Sequence, residues 1–432
     1  MQMQDPAGKA QATERASVGT NIRSYRLKRG MSQEQLAHQI PMSARWMIEV
    51  EAGRLDPKLT DALRLADILG VTLNDLVRDS PHPGSAAARL RRLSPRQAAH
   101  IEQIGTRWGT RLGSVWFPWV VAGFGPYAPQ DIESYFHRLE PEYPTDINRT
   151  FEEIRSDINE RSARGEEVPY DGEDYKLVRF DVSGRRGPYE APRLLLHFCP
   201  TTYFRMLATD QRLDVPITVA GRTYTLRERY AADVDLRIQP VAQLATHWGV
   251  GLSVITSDGR LLVSERGSTA VDPHVYFPAV AEGATQPMDA ATNGAPDNFK
   301  TAARGVQEEL GVPLSPDELT WLSFGANSYL CEYGLIGRVD SSYSYDDIER
   351  RRALGAARDS WETRRLHGVE LDPKAAAAFC SHPERRFSAF ALITIAHTLM
   401  HEFGVERTEH AFAHARVQVT QHLPEWLIAR DS

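Results

Sequence analysis

Cap and stop residues recur so closely between residues 21 and 80 that only short helices fit between them. Asn21-Ile-Arg-Ser-Tyr-Arg-Leu-Lys-Arg29 predicts a basic first helix, stopped by Gly30, the residue type that most readily turns left-handed after a helix end. Ser32 stands where a second helix needs its cap. Gln35, three residues on, completes a capping box in which each side chain satisfies the other's backbone N–H. Pro41-Met42 makes a turn, Ser43 caps a third helix from Ala44 to about Ala52, and Gly53 closes it. Residues 59–69 are amphipathic with Gly70 behind them, and 73–77 begin a fifth helix. Apolar Ile22, Leu36, Ala37, Ile40, Met42, Met47, Val50, Leu63, Ala66, Ile68 and Leu69 give each piece one buried stripe, enough for a small five-helix core.

That module is a small part of 432 residues, a length that implies two or three domains. With 42% hydrophobic and 25% charged residues the chain has a globular composition. No window approaches the roughly 18 consecutive apolar residues of a membrane helix. The first 17 residues lack the basic-then-apolar order of a secretory signal. Cys199, Cys331 and Cys380 are widely separated and form no Cys-x-x-Cys pair, so a disulfide framework and a cysteine zinc site are not expected and a reducing cytoplasm fits. A formal net charge of -7 means that any nucleic-acid contact must come from a local patch.

The run Arg26…Gly30-Met31-Ser32-Gln33-Glu34-Gln35-Leu36-Ala37…Met42-Ser43…Met47…Val50-Glu51-Ala52-Gly53…Pro57…Leu63…Ala66…Leu69-Gly70-Val71 resembles the helix-turn-helix of the XRE/Cro/lambda-repressor family. The resemblance implies double-stranded DNA as partner, with the 44–52 helix in the major groove and the helix before it against the phosphate backbone. It places Gln33 at a helix N-terminus facing phosphate. It places Ser43, Ala44, Arg45 and Glu49 at the reading surface. Arg45 suits guanine, Ala44 a thymine methyl and Glu49 the cytosine amino group. An ordinary solvated face is the alternative for Gln33 and Arg45. Arg26 and Glu51 fall where the family keeps a structural ion pair. Nine Lys/Arg face eight Asp/Glu between residues 21 and 80, so one copy should bind DNA modestly, and a homodimer on a two-fold site is expected.

Asp79-Ser-Pro-His-Pro-Gly-Ser-Ala-Ala-Ala reads as a linker. Arg89, Arg91, Arg92 and Arg96 after it either extend the DNA contact or flank the next helix, which Ser94-Pro95 starts. Beyond lie predicted helices near 97–110 and 145–163 and strands near 175–182 and 194–198. The aromatics Trp108, Trp116, Phe117, Trp119, Phe124, Tyr127, Tyr135 and Phe136 read as core or domain interface.

In the C-terminal half, residues 250–265 predict a hairpin turning at Ser257-Asp258-Gly259. A loop with Glu282-Gly283 follows, then an Asp297- or Asn298-capped helix over 299–310 ending at Gly311, and strands at 320–324 and 329–339. From Asp340 on the tail reads as helical, with the long apolar 387–403 stretch packing on the sheet. This order, with Ala303-Arg304-Gly305-Val306-Gln307-Glu308-Glu309-Leu310-Gly311-Val312, is similar to the Nudix fold and the second half of its box. The box departs at Gly305, which stands where the family has a glutamate. Its upstream glycine and glutamate positions fall on Ala290 and Pro296. Glutamates at 305 and 309 would share a helical face and a divalent metal, so Gly305 removes a principal group for metal-assisted hydrolysis. Arg304, Glu308, Glu309 and Glu282, with Asp289, are the residues left for a ligand or Mg2+. His397 with His401, and His410 with His414, repeat an i,i+4 spacing open to metal ligation but lack a clear third ligand.

The expected architecture is an all-α helix-turn-helix N-terminal domain plus an α+β C-terminal region with a Nudix-like mixed sheet. Its parts are a disordered tail (1–18), the DNA-binding domain (19–80), a linker (81–93), a middle region (94–240) and a Nudix-like domain with C-terminal helices (241–432). The expected function is a cytoplasmic transcriptional regulator whose C-terminal region senses a nucleotide or related small phosphate compound. A Nudix-type hydrolase with an accessory DNA-binding module, and a helix-turn-helix used for protein contact, are the alternatives.

Overall fold

The computed structural model describes residues 18–76 and 107–420, apart from positions 28, 30, 41, 53, 56, 72, 74, 75, 140 and 167 and the segments 184–191 and 268–273. The chain divides into two compact units, Met1–Arg91 and Arg92–Ser432. The linker expected at 81–93, its arginines Arg89, Arg91 and Arg92, and Arg96 lie outside the described residues, as do most of the 1–18 tail and most of the fifth helix.

In the first unit, residues 18–27 form helix α1. It is followed by α2 (Gln33–Gln39), α3 (Ala44–Glu51) and α4 (Leu59–Leu69). The local signals act as read: Ser32 and Gln35 make a reciprocal capping box, Ser43 accepts from the Trp46 N–H, and Gly70 ends α4 at φ +62°. Ile22, Tyr25, Leu36, Ala37, Ile40, Met47, Val50, Leu65, Ala66 and Leu69 form the core. In α4 the stripe is rotated from the expected one. Leu65 is fully buried, whereas Leu63 is only half-buried, because Ala62, Leu65, Ala66 and Leu69 make the tighter i, i+3, i+4, i+7 set.

The second unit is built on a ten-stranded sheet. In chain order its strands and helices begin with β1 (Thr110–Leu112), β2 (Val115–Phe117), β3 (Trp119–Tyr127), β4 (Ile132–Phe136), α5 (Thr145–Ala163), β5 (Glu173–Ser183), β6 (Arg193–Thr202) and α6 (Tyr203–Ala208). A small hairpin, β7 (Ile217–Val219) and β8 (Arg222–Tyr224), leads to β9 (Trp248–Ile255), β10 (Arg260–Arg266), β11 (Val275–Pro278) and β12 (Val280–Gly283). Then come α7 (Asn298–Leu310), β13 (Leu319–Asn327), β14 (Glu332–Asp340), α8 (Tyr345–Ala353), β15 (Thr363–Glu370) and α9 (Pro373–Cys380). The order ends with β16 (Arg386–Phe387), α10 (Ala389–Phe403), α11 (Val405–Phe412) and β17 (Gln418–Val419). The strands of the large sheet lie in the order β17-β16-β11-β10-β9-β14-β13-β3, with β12 pairing β9 and β15 pairing β10.

β9 and β10 share a single antiparallel pair, Leu261↔Ile255; β9 then continues with β12 and β10 with β15, so the sheet curls into a half-barrel. β14 runs parallel to β9. Both faces are covered, which is why β9 and β13 are buried almost throughout and read as apolar runs. One face packs α7 and the three-stranded sheet β4-β6-β5 around Trp248, Phe324, Tyr333, Val306 and Phe198. The other packs α10 and α11 over Trp119, Ile336 and Val263. Cys199, Cys331 and Cys380 are free and buried. Among the described residues no helix is long and apolar enough to cross a membrane.

Several expectations need correction. Glu282-Gly283 belongs to strand β12, with Glu282 opposite Val250, and is no loop. The helix expected to reach residue 110 does not, since Thr110 opens β1; residues 97–106 lie outside the described part. The tail beyond Asp340 is not all helical: β15 pairs along β10, and its solvent-facing Arg364 and Arg365 hide the strand pattern. The middle region shares its core with the C-terminal half, because β3 is the edge strand beside β13.

One glycine sets how closely α10 approaches. A Cβ at Gly251 would lie 2.8 Å from Phe390 Cδ1, whereas one at Gly334 would first strike the Gly249 carbonyl of the neighbouring strand at 2.5 Å. Gly251→Ala is therefore expected to lower stability by about 1–3 kcal/mol through overpacking, and Phe390→Leu in the same chain to recover part of it. Chemical denaturation of the two variants checks this, and an unchanged midpoint for Gly251→Ala contradicts it.

Candidate functional site

In the N-terminal unit the geometry converges on one buried ion pair. Arg26 Nε donates to Glu51 Oε1 at 2.6 Å and Nη2 to Oε2 at 2.9 Å, while Nη1 reaches the Met31 carbonyl at 2.7 Å. Both side chains are buried, and hydrogen bonding to Glu51 holds Arg26 above the ordinary arginine value. Gln33 Nε2 donates to Glu51 Oε2 at 2.8 Å. One carboxylate thus ties α1, the start of α2 and the end of α3 together. Gly19 lets α1 run against the end of α3, where a Cβ would strike the Val50 carbonyl.

Burial of Met47, Val50 and Glu51 fixes which side of α3 faces outward. That side carries Arg45, Ile48 and Glu49, one helical turn apart or less, with Ser43 exposed at the cap and Ala44 half-buried beside it. The Glu49 carboxylate accepts from Arg54 at 2.8 and 3.2 Å. Of the residues expected at a reading surface, Arg45, Glu49, Ser43 and Ala44 lie together on α3. Gln33 sits apart, engaged with the ion pair.

In the second unit Arg304 is the hub. From α7 its guanidinium reaches Glu282 (2.8 Å), Asp289 (2.8 and 3.1 Å), Glu308 (3.1 Å) and the Gly283 carbonyl (2.8 Å). Burial opposes its charge, but Asp289 and Glu282 keep it firmly ionised. Burial pushes Glu282 up to about 7 against the pull of Arg304, and pushes the fully enclosed Glu309 up to about 7 as well. Gly305 has a steric reason: a Cβ there would lie 2.7 Å from Val280 Cγ1 and 3.1 Å from Glu282 Cβ. Ala290 and Pro296 face each other across a short β-bridge. Among the described residues no group of three or more His, Cys, Asp or Glu is disposed to hold a metal. The residues present do not fit Mg2+, because the guanidinium occupies the point where Glu282, Asp289 and Glu308 converge.

The histidine pairs do not assemble into a metal site either. His397 is buried, its ring 6.4 Å from that of Phe124, and burial keeps it neutral down to about 4. His401 is buried, and His410 and His414 are exposed.

Sequence reasoning missed a second titratable cluster beside the first. His247 Nε2 pairs with Asp174 Oδ2 at 2.9 Å, and its backbone N–H donates to Asp210 at 3.0 Å. Burial lowers the imidazole's proton affinity, but Asp174, Glu332 and Asp210 outweigh it and raise His247 to about 9. Burial raises Glu332 to about 7 and Asp210 to about 6. Gly283 separates the clusters: its carbonyl receives Arg304, and a Cβ on it would lie 2.9 Å from His247 Cε1. These residues come from four distant segments, so no spacing announced them. A cavity of about 270 Å³ lies between β4, the residues before α7 and the start of β13, lined by Ile132, Ser134, Asn293, Asp297, Phe299 and Trp321 among others.

Comparison with known proteins places the N-terminal unit. A helix-turn-helix domain model matches residues 17–78. An uncharacterised HTH-type transcriptional regulator of Archaeoglobus fulgidus is 33% identical over 57 residues, 13% of this chain and 81% of that protein. A hypothetical transcription factor from Neisseria is 28% identical over 18% of this chain and 85% of its own (TM-score 0.15). The restriction-modification controller protein C.AhdI from Aeromonas hydrophila is 29% identical over 14% and 94% (TM-score 0.14).

Two outcomes are expected. Glu51→Ala leaves Arg26 buried without its carboxylate, at a cost of about 3–5 kcal/mol, and should abolish the melting transition of the N-terminal unit; a retained transition counts against the pair. In the second unit, the carboxyls of Glu282, Glu309 and Glu332 are raised from an unfolded value of about 4.3. Their stabilisation is complete below that value and is lost as pH rises through about 7. The unit should therefore melt at a higher temperature at pH 6.5 than at pH 8.5, and Glu309→Gln should flatten the difference by raising the pH 8.5 value. Equal melting temperatures for the native chain contradict the assignment.

Proposed function

Because the chain belongs to the helix-turn-helix transcriptional regulators, we propose that it reads a specific DNA sequence with the outward face of α3 and passes the state of its C-terminal unit to that reader. The observation that carries this reading is the arrangement around Arg26–Glu51. It fixes α2 against α3 and leaves Arg45 and Glu49 outward on a helix whose other side is buried. In this reading Arg45 takes a guanine edge, and Ser43 and Ala44 approach the backbone and a thymine methyl. Gln33 contributes through the network it shares with Glu51, to which its side-chain amide N–H donates. Charge in the module is nearly balanced, so the working form is a homodimer on two half-sites, acting in the cytoplasm.

The sensing role of the second unit is supported by its cavity and by the two titratable clusters that meet at Gly283. The cavity lining includes Asp297 but no lysine or arginine, which favours an uncharged ring of nucleoside size over a phosphate. A Nudix-like ancestry agrees with the parallel β14–β9 pair and the Arg304 hub, but the hub leaves no metal position. Nucleotide hydrolysis is therefore not part of this reading, and release of phosphate that disappears in Glu309→Gln would replace it with the hydrolase reading.

The test uses Arg45→Ala, an exposed side chain whose loss spares the core. It should keep the melting temperature of the native chain and lose discrimination between the preferred duplex and a random one by about 1–3 kcal/mol. Binding measured by fluorescence anisotropy on both duplexes decides it, and undiminished discrimination removes α3 from the reading role.

A further inference from the structure

Glu49 and Arg54 are joined twice. The Glu49 carbonyl accepts from the backbone N–H of Arg54 at 2.9 Å and of Leu55 at 3.2 Å, closing the end of α3. Its carboxylate then grips the Arg54 guanidinium on one edge, through Nε at 2.8 Å and Nη2 at 3.2 Å. A guanidinium has five N–H donors in a rigid fork, so a carboxylate on the Nε/Nη2 edge leaves the Nη1 edge directed away from it. Arg54 is 60% exposed at the side chain, so that free edge faces solvent. Arg45, one turn earlier on the same face, lies within electrostatic reach of the same carboxylate. Two cations, Arg45 on α3 and Arg54 just beyond its end, thus flank one anion.

Two other arginines of the module have different work. Arg26 is buried against Glu51, and Arg29 Nη1 donates to the Ile68 carbonyl at 2.6 Å, its guanidinium lying over Gly70. A side chain that is held at backbone and guanidinium alike and still faces solvent has lost rotamer freedom before any ligand arrives, which lowers the cost of a later contact. With Met47, Val50 and Glu51 buried, DNA can approach α3 only on the side where this cation stands.

From this geometry we infer that Arg54 is a further DNA-contacting residue, held towards a backbone phosphate by Glu49, and that Glu49 is a positioning residue and not a reader of cytosine. The inference rests on the DNA-binding reading above and assigns the parts within it. A phosphate contact adds affinity on every sequence and releases condensed counterions; a base contact changes preference at one base pair and leaves the rest alone.

The experiment measures binding of the full-length chain to a random-sequence 30-base-pair duplex over a range of salt concentrations. Arg54→Ala should reduce the slope of log affinity against log salt by about 0.9, the value of one lost phosphate contact, and Arg54→Lys should keep most of it. Glu49→Gln should leave unchanged the motif that the native chain selects from random DNA. Arg54 is exposed and Glu49 half-buried with its carboxylate outward, and unchanged melting temperatures confirm that the variants fold. If the native chain shows no salt-dependent DNA binding, the DNA-binding reading itself fails. If it binds with a slope that Arg54→Ala does not change, the assignment of Arg54 is overturned. A Glu49→Gln change of preference confined to one base pair overturns the positioning role.

Discussion

Arg26 and Glu51 come from the first and third helices of the N-terminal unit and meet inside it at 2.6 Å, with Gln33 of the second helix on the same carboxylate. A buried ion pair repays its desolvation only when its remaining donors and acceptors are also satisfied. Here they are: Met31 takes the third arm of the guanidinium, and Gln33 adds a second donor to one carboxylate oxygen. The pair therefore acts less as a source of stability than as a fixed joint. Three short helices, none able to persist alone in water, acquire one mutual orientation. The outward face of α3, with Arg45, Glu49 and the arginine that Glu49 holds, follows from that joint.

The second unit has a comparable joint with a different balance of charge. Arg304 meets Glu282, Asp289 and Glu308, three carboxylates on one cation, with Glu309 buried nearby. Burial, with neighbouring carboxylates adding to it, raises Glu282 and Glu309 to about 7, and does the same for Glu332 in the His247 cluster across Gly283. The absence of a glutamate at 305 is a packing requirement, because β12 passes too close to α7 to admit even a Cβ. The segment that would carry the upstream half of a Nudix box instead folds back through Asp289, which accepts from Thr285 N–H and Arg304 together.

What could be read in the sequence was what depends on neighbours along the chain. Ser32 with Gln35, Ser43, Gly70, Asp297 and Gly311 mark helix ends through contacts within four residues, and those ends fall where the caps put them. What could not be read depends on distant partners. Glu282 looks like a loop residue until β9 is beside it, and Thr363–Glu370 reads as part of a helical tail until β10 pairs with it. Leu65 displaces Leu63 from the core because the phase of a short stripe is set by the opposing helices. At the sites the same division holds. Arg26 with Glu51, and Arg304 with Glu308, stand on recognisable local patterns, but the pairing of Glu49 with Arg54 needs the chain's turn after α3, and Asp174, Asp210, His247 and Glu332 meet only through the sheet.

The central claim is that the face of α3 fixed by the Arg26–Glu51 joint reads DNA sequence. Selection of bound fragments from a random duplex pool by the full-length chain at physiological salt tests it most directly. The account predicts one enriched motif, with half-sites repeated about 10 base pairs apart if two copies bind across a two-fold axis. A pool that stays random after repeated rounds would contradict it and would turn attention to α3 as a protein-binding surface.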